Sequence, residues 1–149
     1  MLTEYDIPVP KLLERDIEKQ YLVKEFIDGK LASEMIADDC IDSHILEKLF
    51  EISNKISEAG FNIDYFPNNF VVKDDDLFYI DYEINEYDDK WNFENWGLFY
   101  WLNSAGFRKF LKTGDAKYIN IDLEKGIPIK KPFQKMADQL IKQYVINFQ

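Results

Sequence analysis

The sequence predicts an α+β fold, mainly helical, with two short β-hairpins in its N-terminal half. Three observations carry that expectation. β-rich runs broken by turn signals occur twice, at 11–27 and 70–80. An apolar stripe at three- and four-residue spacing runs from Ile41 to Ile56. A second amphipathic face, from Phe133 to Val145, lies near the C-terminus. Side chains share a face every second residue in a strand and every third or fourth in a helix, so the two periods separate the two element types.

The elements follow in order. Ile7-Pro-Val-Pro10 disfavours helix, because each proline restricts the residue before it. Lys11 to Glu14 reads as a short strand, Asp16 to Lys19 as a turn, and Tyr21 to Ile27 as a strand ending at Asp28-Gly29. Ile41, Ile45, Leu49, Ile52 and Ile56 make one face of a long helix. Asp42 or Ser43 is its N-cap, and Gly60 lies at its C-terminal end. His44, beside that stripe, is given no role. Phe70 to Val72 and Leu77 to Ile80 form the second hairpin around Lys73-Asp-Asp-Asp76, a solvated turn rather than a metal site. Trp91 to Leu102 is expected to be one helix capped by Asn92. It carries too many aromatics for one face, so it should be buried on several sides. Pro132 marks the first turn of the last helix, which buries Phe133, Met136, Ala137, Leu140, Ile141, Tyr144 and Val145.

Composition narrows the function. The 149 residues suit one domain with a real core. The net charge of −10 argues against broad binding to nucleic acid or to an anionic membrane. One cysteine, Cys40, and one histidine, His44, argue against a disulfide framework and against Cys- or His-based metal sites. The longest apolar run near the middle, Leu98 to Leu102, is too short to span a bilayer, and Met1 to Asp6 does not resemble a signal peptide. A cytoplasmic setting is expected.

One segment carries chemistry. Asp64 and Asn69 are spaced as Asp-x-x-x-x-Asn, a hairpin follows, and Asp81 comes at the end of its second strand. Because the second strand runs back beside the first, Asp81 returns to the end where Asn69 sits. Phosphoryl transfer needs such a set: one carboxylate to orient a hydroxyl and accept its proton, and oxygen ligands to hold magnesium against phosphates. The alternative is structural, with Asp64 capping a turn and Asp81 ending a strand.

These residues resemble the protein-kinase-like superfamily, most closely the aminoglycoside phosphotransferase type and its small-molecule kinase relatives. Asp64-Tyr-Phe-Pro-Asn-Asn69 is similar to their catalytic loop, His-Gly-Asp-x-x-Pro-x-Asn, and Ile80-Asp-Tyr-Glu83 to their metal motif. Ile7 to Leu13 and Tyr21 to Gly29 resemble the last two N-lobe strands and the hinge. The resemblance implies a remnant N-lobe hairpin and hinge over 1–29 and a helical C-lobe over 30–149. It implies Asp64 as catalytic base, Asn69 and Asp81 as magnesium ligands, and Glu25, Phe26 and Ile27 as the hinge that meets adenine. Magnesium and ATP are the implied cofactors and a small-molecule hydroxyl the implied acceptor. Glu83 is left with a structural or second metal role. Glu94 is a candidate brace for the catalytic loop, against the default of a solvent-facing glutamate.

The chain departs from the pattern in two ways. Asn62 stands where the family has histidine, although asparagine can still hydrogen-bond the loop backbone. There is also no Gly-rich loop, and Lys11 precedes the hinge by too little to be the phosphate-binding lysine. ATP binding by the isolated chain is therefore expected to be weak. The chain reads as a minimal kinase completed by another copy or an N-lobe partner, as a degenerate pseudokinase acting as a binding module, or as a fragment. A helical interaction domain unrelated to kinases is the remaining alternative. The strand from Tyr21 to Phe26 should offer an unpaired edge for such a partner, unless Met1 to Tyr5 folds over it.

Overall fold

The helix predicted from the Ile41–Ile56 stripe is the spine of the computed structural model, which describes residues 2–145. The expected 1–29 and 30–149 spans thus extend at each end beyond the described residues. The fold is mixed α+β with small sheets.

The hairpin of β1 (Leu12–Asp16) and β2 (Tyr21–Lys24) opens the fold after a 3-10 turn at Leu2–Tyr5. The second strand is shorter than its sequence suggests. Glu25 N–H donates to the Lys11 carbonyl at 2.8 Å and closes the ladder, so Glu25 to Asp28 runs on as irregular chain. β3 (Lys30–Leu31) then joins a different sheet, and α1 (Ala32–Ala37) follows it.

α2 (Ser43–Glu58) buries Ile45, Leu49, Phe50, Ile52 and Ile56. Asp42 is the cap, accepting from Ile45 N–H at 3.0 Å, and Gly60 follows the end at φ 87°. Burying each large aliphatic side chain contributes roughly 1.5–3 kcal/mol, so this stripe is a main source of stability. His44 is exposed on the same helix.

β4 (Phe61–Ile63) leads into the candidate loop. β5 (Phe70–Lys73) and β6 (Asp76–Tyr79) form the second hairpin, extended by β3 in the order β3-β5-β6. Its two-residue turn places Asp74 at φ 51° and Asp75 at φ 63°, the paired left-handed geometry that matches strand twist. β7 (Ile84–Glu86) pairs back on β4.

The single helix expected over Trp91–Leu102 is instead broken. A 3-10 turn at Asp89–Trp91 precedes a π-helical turn at Phe93–Gly97, then α3 (Leu98–Trp101). Asn92 does cap the π turn, accepting from Asn95 N–H. Phe93, Leu98, Phe99, Tyr100 and Trp101 are all buried. α4 (Ser104–Thr113) packs on α1, and a small hairpin of β8 (Asn120–Asp122) and β9 (Ile127–Pro128) follows; neither element was expected. α5 (Gln134–Val145) closes the fold, stacking Tyr144 on Phe50 at 5.0 Å. Met136 points outward, 55% exposed, while Ala137 is buried. No described helix is long and apolar enough to cross a membrane.

Candidate active site

The loop from Asp64 to Asn69 owes its shape to aromatic residues beneath it. Tyr65 is buried, and its carbonyl accepts the Trp101 indole N–H at 2.9 Å. Gly97 makes the approach possible, since a Cβ there would lie 2.5 Å from Tyr65 Cβ. Pro67 starts a 3-10 turn, and Asn69 N–H donates to the Phe66 carbonyl.

One hydroxyl fixes both sides of the site. Tyr79 Oη accepts from Asp64 N–H at 3.2 Å and donates to the Glu83 carbonyl at 2.8 Å. It thereby ties the candidate loop to the segment after β6. Ile80 N–H donates to the Asn69 carbonyl at 2.9 Å and holds the hairpin end closed. As a result, carboxylate oxygens of Asp64, Asp81 and Glu83 lie within 4.8 Å of one another. The Asn69 side chain lies beside Asp64, its Nδ2 donating to the Asp64 main-chain carbonyl at 3.4 Å.

Burial pushes the Asp64 carboxyl above its usual range. The Phe66 N–H and the Asn69 amide oppose this by stabilising the carboxylate, and Glu83 and Asp81 reinforce it by repulsion. Grouped carboxylates of this kind suit a hard divalent cation such as magnesium, which takes oxygen ligands. Such a cation would also relieve the repulsion.

The expected hinge lies on a cavity of about 390 Å³, lined in part by Pro10, Phe26, Ile27, Leu31, Val71 and Ile80. The Glu25 N–H is already used by Lys11, and Phe26 is 85% exposed, so the three hinge residues are not equivalent. Sequence reasoning passed over Lys24. Its ammonium reaches the Ile80 carbonyl and lies 5.1 Å from the Tyr82 ring centroid, which brings a cation to the strand end next to Asp81. No spacing rule links residues so far apart in sequence.

Asn62 differs from its expected role. Its Nδ2 donates to the Asp88 carbonyl at 2.8 Å, not to the loop, because β4 pairs with β7 and carries it that way. Its buried Oδ1 has no partner among the described residues. Glu94 accepts from Ser53 Oγ at 3.4 Å, beneath Tyr65. Asp64 and Glu83 also line a second cavity of about 240 Å³, with Asn62, Glu86, Trp91 and Trp96. The chain matches no family model and no curated protein.

Proposed function

We propose that this chain is a kinase-like phosphotransferase, built as a C-lobe with a remnant N-lobe hairpin, that moves the ATP γ-phosphate to a small-molecule hydroxyl. The observation that supports it most is the gathering of Asp64, Asp81 and Glu83 within 4.8 Å at the end of the β5–β6 hairpin. Asp64 orients the acceptor hydroxyl and takes its proton as the hydroxyl oxygen bonds to the γ-phosphorus and the bond to ADP breaks. Its raised proton affinity suits that task. Asn69 and Asp81 are the residues that would hold magnesium, with Glu83 beside them. Magnesium, when bound, neutralises and aligns the phosphates. Pro10, Ile27, Leu31, Val71 and Ile80 offer an apolar slot for adenine. The 240 Å³ cavity suits a small acceptor rather than a folded protein.

A second reading, a pseudokinase that binds without catalysis, is favoured by the placing of the glycines. Gly29 is the one glycine ahead of Gly60, and none are clustered, so the sequence offers phosphates no Gly-rich cradle. Charge-assisted hydrogen bonds are worth roughly 1.5–3 kcal/mol each, so ATP affinity should be low in either reading. Another copy or an N-lobe partner would complete the nucleotide site.

Manganese in place of magnesium tests the proposal. In NMR spectra, Mn²⁺ with ATP should broaden the amides of Asp64, Asn69, Asp81 and Glu83 first, and Asp81→Asn should weaken the effect. Uniform broadening along the chain would overturn the site. Localised broadening with no ADP formed in the presence of hydroxyl acceptors would favour the pseudokinase.

A further inference from the structure

Trp91 lines two cavities of opposite charge. One is the 240 Å³ cavity, with Asp64, Glu83, Glu86 and Asp88 in its wall and no cationic residue. The other is a cleft of about 650 Å³ into which Lys90, Lys125 and Lys130 converge, with Asn95 and a single carboxylate, Asp89. A local excess of lysine is unusual in a chain of net charge −10. Among the described residues none of the three lysines forms an ion pair.

The cleft is held in shape. Lys125 sits in the β8–β9 loop, and its N–H donates to Asp122 Oδ1 at 2.9 Å. The next carbonyl, Gly126, accepts the Trp96 indole N–H at 2.8 Å. Tyr100, buried, donates its hydroxyl to Asn120 Oδ1 and anchors the first strand of the same hairpin. The Lys130 ammonium lies 5.3 Å from the Phe99 ring centroid. Trp96 therefore walls the acidic cavity with its ring while its N–H fixes the loop that brings Lys125 to the basic cleft.

We propose that this cleft is an anion-binding subsite, taking a carboxylate or phosphate group carried by the acceptor. The acceptor's hydroxyl then lies in the acidic cavity, a step that rests on the phosphotransferase reading. The cleft shares no lining residue with the hinge cavity but shares Trp91 with the acidic one, so its anion belongs to the acceptor rather than to the nucleotide. The acceptor class is a small hydroxyl compound with an anionic end, directed by the opposite potentials on either side of Trp91.

NMR titration tests this without nucleotide or metal. Inorganic phosphate and acetate are titrated separately at constant ionic strength. Saturable shifts should appear at the Trp91 indole and at the amides of Lys90, Asn95, Lys125 and Lys130, with a dissociation constant on the order of millimolar. Lys125→Gln with Lys130→Gln should weaken binding about fivefold, and Lys19→Gln, in the exposed β1–β2 turn, should leave it unchanged. The anion that saturates first identifies the group. Unsaturable shifts spread over the chain would overturn the subsite. Glycerol 3-phosphate should add shifts at the amides of Asp64 and Glu83. If its shifts stop at the cleft, the link to the acceptor fails. Because no ATP or metal is present, failure of the phosphotransferase reading in the manganese experiment leaves these results standing on their own.

Discussion

β1–β2 and β5–β6 are both short antiparallel hairpins, yet one is bare and the other is the floor of the candidate site. Leu13, Leu22 and Val23 of the first are 60%, 49% and 42% exposed, whereas Phe70, Leu77 and Tyr79 of the second are at most 1% exposed. The second hairpin has β3 beside it, α2 against it and Trp101 at 5.4 Å from Phe70. The first is a two-stranded sheet, tied to the rest of the fold at its base, where Lys24 reaches the Ile80 carbonyl and Tyr79 N–H donates to the Pro8 carbonyl. An isolated two-stranded ribbon is marginal in water, so its order is borrowed from that anchorage. Placing the acidic cluster on the buried hairpin gives the site the rigid support that the first hairpin lacks.

The largest effect should come from breaking the buried hairpin. Phe70→Ala removes a ring packed on Tyr79 and Trp101 and should cost about 3–5 kcal/mol. Leu22→Ala, in the exposed hairpin, should cost under about 0.5 kcal/mol. Urea unfolding measures both, and similar costs would mean that β1–β2 is covered in solution.

Next comes the hydroxyl that ties hairpin to loop. Tyr79→Phe leaves the ring but orphans Asp64 N–H and the Glu83 carbonyl, at a cost of about 1–3 kcal/mol. Because that hydroxyl holds Asp64 and Glu83 in one geometry, Mn²⁺ affinity should fall along with the urea midpoint. A fall in stability with unchanged Mn²⁺ affinity would mean that the cluster is positioned by something else.

What the sequence discloses follows from the range of the forces involved. Turn chemistry and capping act over a few residues, so Asp42, Asn92 and the Lys73–Asp76 turn were legible. The order Asp64, Asn69, hairpin, Asp81 was legible as well, because the returning strand follows directly from the hairpin. The rest depends on contacts across the chain. The π-helical turn at Phe93–Gly97 lies where Tyr65 packs closely on Gly97, a contact between residues 32 apart in sequence. Asn62 follows the β4–β7 pairing, and Lys24 meets Ile80 only once two hairpins are docked. α1 is six residues long, too short for a periodic signal.

A smaller effect, with an informative sign, concerns Asp64. Burial and the Glu83 and Asp81 charges raise its proton affinity in the folded chain. The native state thus holds this proton more tightly than the unfolded state does. The group's contribution to stability is therefore lost as pH rises through its raised folded value. In metal-free buffer, Asp64→Asn, which keeps an acceptor for Phe66 N–H, should raise the urea midpoint near neutral pH, and the gain should shrink as the pH falls towards the ordinary carboxylate range. A variant that destabilises most at neutral pH would show that the bonds from Phe66 and Asn69 outweigh burial.

The smallest effect belongs to the edge of the bare hairpin. Leu2–Tyr5 does not cover it: that turn is 3-10, buries Leu2 in the core and adds no strand to β1–β2. β2 therefore keeps an outer row of backbone N–H and C=O groups flanked by Leu22 and Val23, with Phe26 85% exposed beyond it. Such an edge pairs with another strand, and in a pure sample the available strand is the same one on a second copy. Sedimentation equilibrium should show weak dimerisation at about 100 µM, the range expected where one short ladder is the main contact. Val23→Lys puts a charge where the two strands would meet and should return the chain to monomer. Val23 is 42% exposed, so the urea midpoint of the dilute protein should barely move, and the loss of dimer can then be assigned to the edge rather than to unfolding. A wild-type chain that stays monomeric throughout would show that the tie from Lys24 and Pro8 to the end of β6 is enough, and that the exposed hairpin is stable without a partner.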